Sequence, residues 1–162
     1  MVSFKDEVRV YPYYFTNHFE VINALFDSKH IAITYCPLTK SGICFNRFID
    51  NETYKILAFG YLYKDNMFTS DKEQNFYWSQ MLMKIISTNK TGKVIENFNL
   101  IETNWKTVKD YIPEAKIYYN YKRQAEATDP IYSPTQNSQH IYGILNNKIE
   151  IEVNLFKYDI FK

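Results

Sequence analysis

Residues Ile31 to Arg47 read Ile-Ala-Ile-Thr-Tyr-Cys-Pro-Leu-Thr-Lys-Ser-Gly-Ile-Cys-Phe-Asn-Arg, and this run leaves the chain few local options. An apolar arm ends in Cys36-Pro37, a six-residue insert follows from Pro37 to Gly42, and a second apolar arm begins at Ile43. Apolar, β-branched arms around a turn-forming insert predict a β-hairpin with a thiol at its mouth. Both cysteines of the chain, Cys36 and Cys44, lie on these arms.

Around that hairpin the chain alternates short strands and turns. Val8 to Tyr14 is β-branched and aromatic, and Pro12 suits an edge strand. Thr16 or Asn17 is placed to cap a helix of about two turns carrying Phe19, Ile22, Leu25 and Phe26. Tyr54 to Tyr63 reads as a third strand with a bulge at Gly60, completing a meander with the hairpin. Asp50-Asn51-Glu52 and Lys64-Asp65-Asn66 are turns, Met67 to Thr69 is a short strand, and Lys84 to Thr88 is another. Thr103 is expected to cap a helix with Trp105, Val108 and Ile112 on one face, stopped by Pro113. A strand follows at Lys116 to Tyr121. Residues 125–139 contain Pro130 and Pro134 without periodicity and read as a loop or linker. Asn146-Asn147 joins two further arms of a hairpin between Ile141 and Leu155.

The chain of 162 residues has the length of a single domain spanning 1–162 and is long enough for a real core. The pattern predicts an α+β, β-rich class: an antiparallel or mixed sheet with two or three short helices. Nineteen basic and eighteen acidic residues leave a net charge of +1, which argues against nucleic acid as a partner. Fifteen Tyr and twelve Phe fit a strand-rich core, with an aromatic ligand surface as the alternative. No transmembrane segment is expected, because no run approaches the roughly 18 apolar residues that a spanning helix needs. The first residues lack the apolar core of a signal peptide, and the apolar end at Tyr158 to Lys162 reads as a chain cut short. No Gly-rich phosphate loop or nucleophile elbow is present.

Several ordered boxes give the chain a wider resemblance. They are Tyr35-Cys36-Pro37-Leu38 with Ser41 and Phe45-Asn46-Arg47, then Gly60-Tyr61-Leu62-Tyr63, Asn66, Asp71 and Trp78-Ser79-Gln80-Met81. Glu102-Thr103-Asn104-Trp105, Pro113 and Ile141-Tyr142-Gly143-Ile144 complete the series. From about Val8 to Phe161 the chain resembles the uncharacterised bacterial and archaeal family numbered 3179 among the domains of unknown function. The resemblance implies a β-rich α+β domain, an extracytoplasmic setting and no established reaction. It also implies that this is a divergent and truncated copy, with 141–162 opening a further half. Many members carry a second Cys where Thr39 stands, a Gly at Lys40, a His at Phe19 and an Asp at Ala24. This copy therefore lacks the Cys-x-x-Cys pair.

Cys36 is the best candidate for a catalytic residue. A reactive thiolate needs cationic or N–H-rich surroundings, which Lys40 and Arg47 are placed to supply; the plainer alternative is a buried, inert thiol. A Cys36–Cys44 disulfide is a further option outside a reducing compartment, although the two side chains are open to facing opposite ways. Cys36, Cys44, His18, His30 and His140 fit no zinc signature, so no metal ligand set is assigned. The binding candidates are Thr39, Ser41, Arg47, Asp71, Trp78, Ser79 and Gln80. A Trp beside a Ser and a Gln offers a stacking face and hydrogen bonds to a small polar ligand. The alternative there is a structural corner, with Trp78 in the core and Asp71 capping a turn. No cofactor is indicated. The favoured reading is a non-catalytic binding or structural module; the other is a thiol-dependent enzyme or redox/metal module centred on Cys36.

Overall fold

The fold is taken from a computed structural model, which describes residues 1–119 and 160–161. The expected loop at 125–139, the hairpin between Ile141 and Leu155, His140 and most of the expected further half lie outside the described residues. The chain groups into two compact units, one of Met1–His18 with Ile101–Lys162 and one of Phe19–Leu100.

The first unit opens with strands β1 (Val2–Phe4) and β2 (Glu7–Val10), an antiparallel pair. Helix α1 (Tyr13–Phe19) follows, with the Pro12 carbonyl accepting from the N–H groups of Phe15 and Thr16. Proline thus sits at the mouth of a helix, where its missing N–H costs nothing. The helix expected to run on through Phe26 ends here instead, at Glu20 with φ of +56°.

In the second unit, strands β3 (Val21–Phe26), β4 (Lys29–Cys36) and β5 (Ser41–Asn46) form an antiparallel meander. β4 is central in it, and its residues Ile31 to Cys36 are all buried. Two tiny strands, β6 (Phe48–Ile49) and β7 (Glu52–Thr53), make a hairpin. Strands β8 (Ile56–Tyr63), β9 (Asn66–Asp71), β10 (Tyr77–Ser79) and β11 (Lys84–Ile85) form a second sheet in the order β11-β10-β9-β8. The strand from Tyr54 therefore joins this sheet through β9 and not the hairpin of Ile31 to Arg47. Strand β12 (Asn97–Phe98) closes the first sheet against β5.

Three of these hairpins turn on residue pairs with positive φ: Asp27-Ser28, Asp50-Asn51 and Lys64-Asp65. Two consecutive left-handed residues match the right-handed twist of the flanking strands, which is why such tight turns recur. The bulge expected at Gly60 is present. Ala58 pairs with Thr69 and Leu62 with Met67, so Phe59, Gly60 and Tyr61 face Phe68 alone, with Gly60 at φ +75°.

The core of this unit gathers Ala32 and Phe45 from the first sheet with Ile56, Trp78 and Ile85 from the second, joined by Ile49, Phe76 and Ile95. Trp78 stacks on Phe45 with ring centroids 3.9 Å apart. A buried pair of aromatics removes several hundred Å² of apolar surface from water and dominates such a core.

Returning to the first unit, helix α2 (Trp105–Tyr111) is capped by Asn104, whose Oδ1 accepts the Thr107 N–H at 2.9 Å. The cap was expected one residue earlier, at Thr103; Asn104 takes it, its backbone extended and its amide oxygen on the N–H of the third helical residue. Trp105 and Val108 are buried on the expected face, beside Val10, Ala115 and Ile117. Strand β13 (Lys116–Tyr118) runs parallel to β2 and to β14 (Ile160–Phe161). β2 is thus an interior strand of its sheet, not the edge that Pro12 implied, because the strand stops at Val10 before the proline is reached. The architecture is β-rich, with antiparallel sheets, one mixed sheet and two short helices among the described residues.

Candidate functional site

The hairpin of β4 and β5 fixes the site. Cys36 pairs with Ser41, so the tight turn comprises Pro37, Leu38, Thr39 and Lys40. Lys40 takes φ of +51°, the left-handed conformation that closes the turn. The N–H groups of Leu38 and Thr39 in this turn favour the charged form of the Cys36 sulfur. Met67, at the start of β9, adds a third N–H, and the Thr39 hydroxyl adds an O–H.

The hydroxyl is itself held. Asn66 Nδ2 donates to Thr39 Oγ1 at 2.6 Å and to Ser41 Oγ at 3.1 Å. Thr39 Oγ1 and Ser41 Oγ are 2.7 Å apart. Gln80 Nε2 donates to Ser41 Oγ at 2.8 Å and to the Ser41 carbonyl at 3.0 Å. Ser41 Oγ thus receives from both Gln80 and Asn66, and Thr39 Oγ1 receives from Asn66. Gln80, Ser41, Thr39 and Asn66 therefore form one hydrogen-bonded set beside the Cys36 turn, in which each bond polarises its neighbours. Asn66 and Gln80 are 1% and 0% exposed, and their carbonyl oxygens have no partner among the described residues. Ser41 is followed by Gly42, where an added Cβ would stand 3.0 Å from Leu100 Cδ2, so the wall beside the site is tight.

Burial pushes the Cys36 thiol up, but the Thr39 hydroxyl and the N–H groups of Thr39, Met67 and Leu38 outweigh it. The thiol lies below its ordinary value. Cys44 is the contrasting case: it is fully buried, and burial pushes its thiol up to about 12. Both cysteines are free. Cys44 pairs with Ile33, three residues along β4 from Cys36. At roughly 3.3 Å per residue that separation is about 10 Å, beyond disulfide reach, and an odd offset puts the two side chains on opposite faces.

Of the residues singled out from sequence, Cys36, Thr39, Ser41 and Gln80 come together here. Arg47, Asp71, Trp78 and Ser79 do not. Arg47 donates to the carbonyls of Ile31 and Tyr54 at 3.2 and 2.9 Å, tying the hairpin to the next segment. Asp71 is fully buried and accepts from Phe76 N, Glu73 N and Asn75 Nδ2 at 3.0, 3.2 and 2.8 Å, shaping the turn before β10. Trp78 belongs to the core, and Ser79 Oγ accepts from Leu82 N at 3.4 Å. Asn66 was not singled out as a site residue, although it stands in one of the family boxes. The N–H donors of Leu38, Thr39 and Met67 have no sequence signature, because every residue but proline carries that group. Among the described residues no three His, Cys, Asp or Glu side chains gather as a metal site would need.

A family model described as a protein of unknown function, DUF3179, matches residues 1–153. The chain belongs to this family. No curated protein and no solved structure matches it. No described helix of this DUF3179 member is long and apolar enough to cross a membrane. The Cys36 turn, Asn66 and Gln80 all fall inside the matched span.

Proposed function

We propose that this DUF3179 domain is a thiol module whose working group is the Cys36 thiolate. The observation that carries the reading is the tight Cys36–Ser41 turn, in which the N–H groups of Leu38 and Thr39 and the Thr39 hydroxyl, with the Met67 N–H, favour the charged form of the Cys36 sulfur. Donors aimed at a sulfur favour its charged form, and the thiolate is the nucleophile. Among the described residues neither a histidine nor a carboxylate belongs to the hydrogen-bonded set beside Cys36. The chemistry supported is therefore attack by a preformed thiolate on a soft electrophile, without the general base that hydrolysis of an ester or amide calls for.

The test is a pH titration of the native protein by the ultraviolet absorbance of the thiolate, comparing wild type, Cys36→Ser and Cys44→Ser. The expected result is a wild-type midpoint below the free value of about 8.5, lost in Cys36→Ser and kept in Cys44→Ser. A Cys36 midpoint at or above the free value would overturn the reading.

The non-catalytic binding or structural role keeps support from a separate observation. Arg47, Asp71, Trp78 and Ser79 are all engaged in holding turns and core, and Cys36 is itself only 1% exposed. That role predicts that a small polar ligand raises the melting temperature equally in wild type and Cys36→Ser. A thiol module predicts a rise that needs Cys36.

A further inference from the structure

We propose that one end of the Phe19–Leu100 unit docks on an anionic lipid bilayer, through three hairpin turns that present aliphatic side chains and lysines together. This stands apart from the thiolate reading and needs no chemistry at Cys36.

Buried side chains tie the three turns to one another. The β4–β5 turn carries Thr39 and Ser41, the β8–β9 turn carries Asn66, and the turn after β10 begins at Gln80. Asn66 Nδ2 reaches Thr39 Oγ1 and Ser41 Oγ at 2.6 and 3.1 Å, and Gln80 Nε2 reaches Ser41 Oγ at 2.8 Å. Asn66 and Gln80 are both buried, so the tips are held as one end of the unit.

Each tip exposes apolar surface with a lysine close by in the chain. On the β4–β5 turn Leu38 is 71% exposed, and Lys40 is exposed two residues on. At the β8–β9 turn the exposed pair is Leu62 and Lys64. The third turn is closed by the Met83 N–H on the Gln80 carbonyl at 3.3 Å. It leaves Met81, Leu82 and Met83 all exposed, with Lys84 next. Among the described residues none of these three lysines enters an ion pair. The tips hold one carboxylate, Asp65, against the three lysines. The whole-chain charge of +1 conceals this, because the excess is local.

An exposed apolar patch rimmed by charge marks a protein or a membrane interface. The residue types select the membrane. Protein interfaces deplete lysine and are anchored by tryptophan, tyrosine and arginine, whereas these tips carry leucine, methionine and lysine. A lysine near an anionic leaflet raises affinity about fivefold, and aliphatic carbons entering the acyl boundary add to that. The long lysine stem lets its ammonium stay among the headgroups while the neighbouring apolar tip goes deeper.

The experiment sediments the whole chain with vesicles of phosphatidylcholine mixed with phosphatidylglycerol, and with vesicles of phosphatidylcholine alone. Wild type is expected to pellet with the mixed vesicles, less so at high salt, and to stay in solution with phosphatidylcholine alone. Lys40→Ala, Lys64→Ala and Lys84→Ala combined are expected to weaken binding about a hundredfold, from about fivefold for each lysine. Leu38→Ser with Leu82→Ser is expected to weaken it about tenfold through lost apolar burial. Lys72→Ala, exposed at the far end of β9, is expected to bind as wild type does. Every substituted side chain is exposed, so native folding is expected throughout and is checked by circular dichroism. Failure of wild type to bind the mixed vesicles overturns the proposal whatever the variants do. So does wild-type affinity in the folded triple lysine variant, or an equal loss in Lys72→Ala. Binding that ignores the leucine substitutions overturns it as well, since the tips then enter no lipid. A wild type that stays off vesicles but self-associates in sedimentation equilibrium, and loses this in the leucine variant, assigns the tips to a second copy instead.

Discussion

Cys36 and Cys44 stand on adjacent strands of one hairpin, and what surrounds each sulfur decides its chemistry. Donor groups meet Cys36, while Cys44 sits beside Phe45 in a fully buried stretch, with burial alone pushing its thiol up to about 12. This difference has a consequence for stability. The folded state holds Cys44 as the neutral thiol more tightly than the unfolded chain does. That contribution is complete below the unfolded value of about 8.5 and is lost as pH rises towards about 12. Chemical unfolding across that window is expected to show wild type losing stability relative to Cys44→Ala. A constant difference between the two proteins over the window would contradict the assignment. For Cys36 the sign is reversed: its contribution is present above the unfolded value and is lost as pH falls through the depressed folded one.

Between elements, one side chain acts as a rung of backbone. Asn23 on β3 donates from Nδ2 to the Ile56 carbonyl at 2.7 Å and accepts from the Ile56 N–H at 2.9 Å, serving the first residue of β8 as a paired strand would. Replacing it with alanine leaves both Ile56 groups unserved in a buried position, so Asn23→Ala is expected to cost about 1–3 kcal/mol. Urea unfolding measures this, and a cost indistinguishable from zero would show that the pair is dispensable. The hairpin around Cys36 and the Gly60 bulge were legible because turn residues and apolar arms carry their signal locally. β3 was not legible. Ile22, Leu25 and Phe26 have helical spacing, yet pairing of the whole segment with β4 outweighs that local preference and leaves Leu25 55% exposed. The partner of β8 was likewise hidden, since Tyr54 to Tyr63 reads equally well beside β5 or β9. At the site, Cys36, Thr39, Ser41 and Gln80 were readable as residue types. Asn66 looked like a turn residue, and the N–H donors have no letter of their own.

Taken as a whole, the chain divides unevenly. Phe19–Leu100 is a continuous stretch that holds its own core, two of the three four-stranded sheets and every side chain of the Cys36 cluster. The other unit draws on both ends of the chain. A fragment of residues 19–100 is accordingly expected to fold alone and to keep the depressed Cys36 titration. Dispersed amide resonances and a cooperative melt would bear this out, and a collapsed fragment without either would refute it. The grouping itself has no sequence signature, because it depends on contacts between distant segments, which no local pattern encodes.

The exposed strand β8 has a final consequence, for how separate molecules treat one another. Among the described residues it is paired along one side only, by β9, and Leu57, Tyr61 and Leu62 lie open to solvent. An apolar strand of this kind is a template for amyloid-like stacking. Here the three-residue bulge at Phe59 to Tyr61 breaks the flat ladder that a second chain would need, and Lys55 and Lys64 flank the run. With a net charge of only +1, electrostatic repulsion between whole molecules is slight. A second copy meeting this edge thus faces a crooked strand with a lysine on either side, rather than the field of a strongly charged molecule.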